Sequence, residues 1–170
     1  MKKEEAKNIL LTKLFDMEAA RSKGVDDYGE GDTPFVTSTE LNNGVVAYVE
    51  PDLDDKVFEG PVIAISGLGH ATVQLGHFLP KGNGGDSLTI LKPNKPMNAE
   101  TLVRCAAAFN LLHKWRFSFG RKCSIQRLSY LEIPYPLPAV EAQWNEESAL
   151  IEKLTKEISE AVCQGHDQKQ

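Results

Sequence analysis

The chain has 170 residues, 41% hydrophobic and 8% aromatic, with a formal net charge of −5. That much apolar material can bury a sizeable core and excludes a disordered polyelectrolyte. The acidic balance excludes a histone-like protein that coats DNA by bulk charge.

Residues 3–15 carry Ile9, Leu10, Lys13 and Leu14 at helical spacing, which predicts a short amphipathic helix. Gly24 to Pro34, rich in Gly and Asp, reads as loop. Pro34-Phe-Val-Thr-Ser-Thr reads as a strand entering a turn, and Leu41-Asn-Asn-Gly is a strong turn signal because Asn and Gly tolerate positive φ. Val45 to Glu50 alternates as a strand that Pro51-Asp-Leu-Asp-Asp breaks. Val62-Ile-Ala-Ile-Ser is a buried-strand pattern running into Gly67-Leu-Gly69, and Ala71 to Leu79 alternates as the next strand. Pro80-Lys-Gly-Asn-Gly-Gly-Asp86 is expected to be a mobile loop, and Ser87 to Lys92 a further strand.

Asn98 is a good N-cap for a helix whose apolar face holds Leu102, Ala106, Phe109 and Leu112. Pro134-Tyr-Pro-Leu-Pro138 is a rigid extended linker. Beyond it, Val140, Trp144, Ile151, Leu154, Ile158 and Ala161 fall at heptad a and d positions, with Glu147 as the one polar d position. The expected organisation is a body over residues 1–138, a coiled-coil-forming helix over 139–164 and a disordered tail over 165–170.

No catalytic constellation stands out. Cys105, Cys123 and Cys163 lack CxxC spacing and read as reduced thiols of a cytoplasmic protein. His70, His77, His113 and His166 have no metal-ligand spacing with them. Ser66-Gly-Leu-Gly69 is either a weak cofactor-loop signal or simply a tight turn. Asp52, Asp54 and Lys56 are crowded into one turn, whereas a metal-dependent nuclease needs its carboxylates on adjacent strands. The start of the chain shows no signal peptide, and no membrane span is visible. Neither a metal nor a cofactor is expected.

The charge distribution is the functional signal. From Thr101 to Leu131 there is no Asp or Glu, yet the stretch holds Arg104, Lys114, Arg116, Arg121, Lys122 and Arg127. Trp115, Phe117, Phe119 and Tyr130 are interleaved with the charges. A positive island in a negative molecule points to one surface that meets a polyanion, with flat side chains that can stack on a base. Thr37, Ser38, Thr39, Asn42 and Asn43 offer hydroxyls and amides that can reach phosphates or base edges; the other reading is a turn that caps its own backbone. Lys81 adds a cation to the Gly-rich loop.

Three ordered segments carry a family resemblance. The first is Leu14-Phe-Asp-Met with Thr33-Pro-Phe-Val-Thr-Ser-Thr-Glu-Leu-Asn-Asn-Gly-Val-Val-Ala-Tyr-Val49. The second is Ile63-Ala-Ile-Ser-Gly67 with Gly84-Gly-Asp-Ser-Leu-Thr-Ile-Leu91. The third is Arg116-Phe-Ser-Phe-Gly-Arg121 with Arg127-Leu-Ser-Tyr-Leu-Glu-Ile-Pro-Tyr-Pro136. Over residues 12–138 the chain resembles the target recognition domain of type I restriction–modification specificity (S) subunits and of related single-chain type II restriction–methylation enzymes. Ala47, where the family commonly has glycine, and Cys123 to Gln126 depart from the pattern.

The resemblance implies an α+β fold, with a mixed, mainly antiparallel curved sheet and flanking helices. It implies a non-enzymatic subunit that reads double-stranded DNA and positions a methyltransferase, with or without a restriction subunit. On this reading DNA contacts come from Thr37, Ser38, Thr39, Asn42, Asn43, Lys81, Lys114, Arg116, Arg121, Lys122 and Arg127. Trp144, Ile151, Leu154 and Ile158 would form the helix that pairs in a homodimer or docks the methyltransferase. The alternative is a protein-interaction module that binds a methyltransferase through that helix without binding DNA.

Overall fold

The computed structural model describes residues 7–84 and 87–135. The heptad segment with Trp144, Ile151, Leu154 and Ile158, and the Gly85-Asp86 pair of the Gly-rich loop, lie outside the described residues.

The strands are β1 (Asn8–Leu10), β2 (Phe15–Ala19), β3 (Gly29–Val36), β4 (Val45–Glu50), β5 (Val62–Ile65), β6 (Ala71–Gln74), β7 (Leu79–Pro80), β8 (Thr89–Pro93) and β9 (Glu132–Pro134). The helices are α1 (Leu11–Leu14, a single turn), α2 (Ala99–His113) and α3 (Ile125–Leu128). The strands form three sheets, ordered β1-β9, β2-β8-β5-β6 and β4-β3-β7. Every pairing is antiparallel except β3 with β7. This is the mixed, mainly antiparallel α+β arrangement expected.

The four-stranded sheet is buried on both faces, which is why β5 reads as an unbroken apolar run. Ile63 and Ile65 join α2 residues Leu102, Cys105, Ala106 and Phe109 in one core. Val62 and Ala64, on the opposite pleat, join Phe58, Phe78, Leu88 and Ile90 in a second. A small third core of Phe35, Val49 and Leu79 holds the β4-β3-β7 sheet together.

Several local expectations are corrected. Within 3–15, residues 8–10 form β1, paired with β9 through Ile9 and Ile133, and only Leu11–Leu14 turns once before β2 begins. A helix so short is marginal alone, and tertiary strand pairing satisfies the same backbone groups. Gly24 to Pro34 is not all loop, because β3 starts at Gly29. Its register against β4 shifts between Glu30 and Thr33, where a Cβ on Gly31 would sit 2.5 Å from the Glu50 backbone nitrogen. That glycine marks a bulge with close backbone approach. Ala71 to Leu79 is two strands in different sheets, broken at the exposed Leu75-Gly76-His77. On α2 the buried face is Leu102, Cys105, Ala106, Phe109 and His113, while Leu112 is 40% exposed.

Other expectations hold. Asn98 caps α2, its side chain accepting from the Thr101 N–H at 2.8 Å. Asn42 (φ 47°), Asn43 (φ 52°) and Gly44 (φ 86°) make the expected turn. Val45–Glu50 is β4.

Candidate nucleic-acid interface

The basic segment leaves the end of α2 as a chain of short, tightly anchored pieces. Lys114–Arg116 is a 3₁₀ turn. Phe117 then dives inward, 8% exposed, and stacks on Phe109 with ring centroids 6.4 Å apart. Ser118 and Arg121 exchange backbone hydrogen bonds of 3.1 and 3.0 Å, closing a two-residue turn with Phe119-Gly120 at its tip. The Cys123 N–H donates to Gly67 O at 2.8 Å, and the Ser124 side chain caps α3. The backbone is therefore fixed by its own hydrogen bonds and one buried ring.

This anchoring leaves Arg116, Arg121 and Arg127 exposed, with Lys114 and Lys122 half-buried. Arg116 lies over Trp115 (5.0 Å to the ring centroid) and Lys122 over Phe119 (4.3 Å). The Arg127 guanidinium donates to the Lys122 carbonyl, so part of its hydrogen-bonding capacity already braces the segment. Arg104 is separate: it pairs with Glu100 along α2.

The polar turn after β3 lies beside this segment. Lys114 Nζ sits 2.6 Å from a Glu40 carboxylate oxygen. That ammonium holds the Glu40 carboxyl below its usual range, so it is charged at neutral pH. Thr37 Oγ1 accepts from the Thr39 N–H, and Thr39 Oγ1 accepts from the Leu41 N–H. Asn42 donates to Val45 O, and Asn43 donates to Val73 O at 2.8 Å, tying the turn to β6. Gln74 returns a bond to Asn43 O at 2.9 Å. Four of the five polar residues thus cap their own turn or dock it; Ser38 is half-buried beside them. The Lys81 N–H donates to Val36 O at 2.8 Å, placing Lys81 at the foot of the same turn.

Sequence reasoning passed over Glu40 and Asn110, and weighed His70 only as a metal ligand. Asn110 clamps α2 to β6, accepting from the Ala71 N–H (2.7 Å) and donating to Ala71 O (2.8 Å). His70 stands beside the Glu40–Lys114 pair, and burial first, then the Lys114 charge, lowers its pKa. Glu40 follows the Thr-Ser-Thr run and could have been found as an acid facing an otherwise acid-free segment; neither His70 nor Asn110 has a sequence signal.

Gly67-Leu-Gly69 is the tight turn between β5 and β6, closed by Ser66 and His70 and packed under Phe117. Asp52 pairs with Lys23 at 2.5 Å, and Asp55 accepts from the Tyr28 hydroxyl at 3.1 Å. Among the described residues, no group of three or more His, Cys, Asp or Glu side chains could hold a metal ion. Among the same residues, no helix is long and apolar enough to cross a membrane.

Solved structures identify the class of fold. The S subunit of a type-I restriction–modification system from M. genitalium superposes with a TM-score of 0.56 at 14% identity, over 76% of this chain and 34% of that one. The HsdS subunit from Thermoanaerobacter tengcongensis gives 0.56 at 17% identity, over 90% and 38%. A chain from a structure addressing complex assembly and conformational transition of the type I R-M system gives 0.61 at 16% identity, over 91% and 40%. The domain thus has the fold found in type I S subunits, as the three ordered motifs imply. The chain spans between 34% and 40% of the length of these structures. No family model matches the sequence, and no curated protein matches it at a significant level.

Proposed function

We propose that this chain is the sequence-reading component of a restriction–modification system, a cytoplasmic DNA-binding subunit without catalysis of its own. The observation that carries the reading is the display of Arg116, Arg121 and Arg127 on a rigid, acid-free segment of a domain with the S-subunit fold. Lys114, Arg116, Arg121, Lys122 and Arg127 contact phosphates; the Thr37–Asn43 turn braces that face from beside it, with Ser38 and, at its foot, Lys81 extending toward the bases. A single domain reads half of a bipartite site, so two copies paired through Trp144, Ile151, Leu154 and Ile158 supply two half-sites and dock a methyltransferase.

Selection from a pool of random duplexes tests this. A common sequence should emerge, bound with an affinity that falls steeply with salt, and Arg121→Ala should reduce the salt slope by about one. A pool that returns no shared sequence, or binding insensitive to salt, would sink the reading. Ile151→Glu with Leu154→Glu should abolish dimerisation and methyltransferase capture while leaving half-site binding in place.

A further inference from the structure

Two of the most exposed large apolar side chains, Trp115 (74%) and Phe119 (79%), line one open cleft of about 530 Å³. Both are held in place. Trp115 Nε1 donates to Leu112 O at 2.8 Å, which fixes the indole plane, and Phe119 rides on the closed Ser118–Arg121 turn. Exposed aromatics that are rigid rather than frayed mark recognition surfaces, because little ordering entropy is lost on binding. Phe117 and Leu68 also line the cleft, and Phe117 is locked from behind by Phe109 and Gly69.

The cleft's polar side is equally specific. The Glu40 carboxylate lies on it with Lys114, and Arg121 and Lys122 continue the segment that carries Phe119. A ligand that suits it is flat and apolar on its faces, offers an N–H donor at one edge and carries negative charge beside it. A nucleotide with an amino-bearing base has all three properties. Base–aromatic stacking supplies the affinity and a carboxylate accepts from an exocyclic amino group. We infer that the Trp115–Phe119 cleft holds a single nucleobase unstacked from its duplex, preferring cytosine, adenine or guanine to thymine through Glu40, with the adjoining phosphates on Arg121 and Lys122. This rests on the DNA-reading function proposed above and adds to it a deformation of the DNA: one base leaves the stack.

The test uses the full chain, with Trp115→Phe as the control that assigns any fluorescence change to Trp115 and not to Trp144. The chain is titrated at low salt with three probes: a fully paired duplex, the same duplex with one bulged cytosine, and the same duplex with one bulged thymine. Trp115 fluorescence should be quenched by the bulged cytosine, which should bind about tenfold tighter than the paired duplex. Phe119→Ala should remove that preference without changing the thermal midpoint. Glu40→Gln should erase the difference between cytosine and thymine. Equal binding of all three duplexes without quenching would overturn the inference, as would a bulge preference that survives Phe119→Ala. If bulge binding and quenching persist while random duplexes yield no common sequence, the cleft stands and the sequence-reading function falls.

Discussion

Residues 37–44 and residues 113–128 adjoin at the Glu40–Lys114 pair; the first is a mainly uncharged polar turn, the second exposes arginines together with Trp115 and Phe119. In the turn, Thr37, Thr39, Asn42 and Asn43 satisfy their own backbone or that of β6. In the basic segment the backbone is closed by backbone hydrogen bonds, the Ser124 cap and the buried Phe117 ring, so arginines and aromatics stand outward. The turn is therefore a support and the basic segment a display. What separates them is where the backbone finds its partners.

The largest break in the comparison should come from removing the ring beneath the display. Phe117→Ala empties space between Phe109 and the Gly69 turn and should cost about 3–5 kcal/mol in urea unfolding. Gly69→Ala approaches the same joint from the other side. Its Cβ would lie 2.4 Å from Phe117 Cδ2 at a backbone φ of +80°, so a loss of about 1–3 kcal/mol is expected. If either variant unfolds at the wild-type midpoint, Phe117 is not the anchor of the segment.

Next comes a crossed pair. Asn43→Ala loses the bond to Val73 O and places alanine at φ 52°, for a cost of about 1–2 kcal/mol. Arg121→Ala should change stability by less than about 0.5 kcal/mol, yet weaken DNA binding. If Asn43→Ala leaves the unfolding midpoint in place and removes base preference instead, the turn is a display as well, and its side chains read DNA directly.

The sequence shows these two regions unequally, for physical reasons. The basic segment was legible because charge segregation and aromatic spacing are properties of composition. The Asn-Asn-Gly turn was legible because positive φ narrows the choice of residue. Whether Asn43 contacts β6 or a ligand was not, because that bond joins residues 30 apart in the chain. The missed β1 has the same origin: Ile9 and Leu10 fit a helix locally, and only the distant β9 makes them a strand. Leu112 was assigned to the wrong face of α2 because a four-residue apolar stripe does not fix where the core ends; His113 is buried instead, its Nε2 2.7 Å from Glu132 O.

The smallest effect concerns pH and sits at the junction of the two regions. His70 follows the Gly69 turn beside Glu40 and Lys114; burial and the lysine lower its pKa below 6.5, and Glu40 partly opposes them. Above pH 6.5 neither the folded nor the unfolded state holds the extra proton, so the full stability is present. As pH falls through 6.5 the unfolded chain takes up a proton first, and stability declines until the folded pKa is reached. Glu40 contributes in the same direction in a lower window, because its depressed pKa stabilises the fold above 4.5 and that contribution is lost as pH falls through the folded value. Urea midpoints measured between about pH 7.5 and about pH 3 should therefore slope downward toward acid, through the His70 window first and the Glu40 window below it. His70→Gln should flatten the upper part of that slope and leave the lower part; an unchanged profile would mean that the junction does not sense the proton on His70.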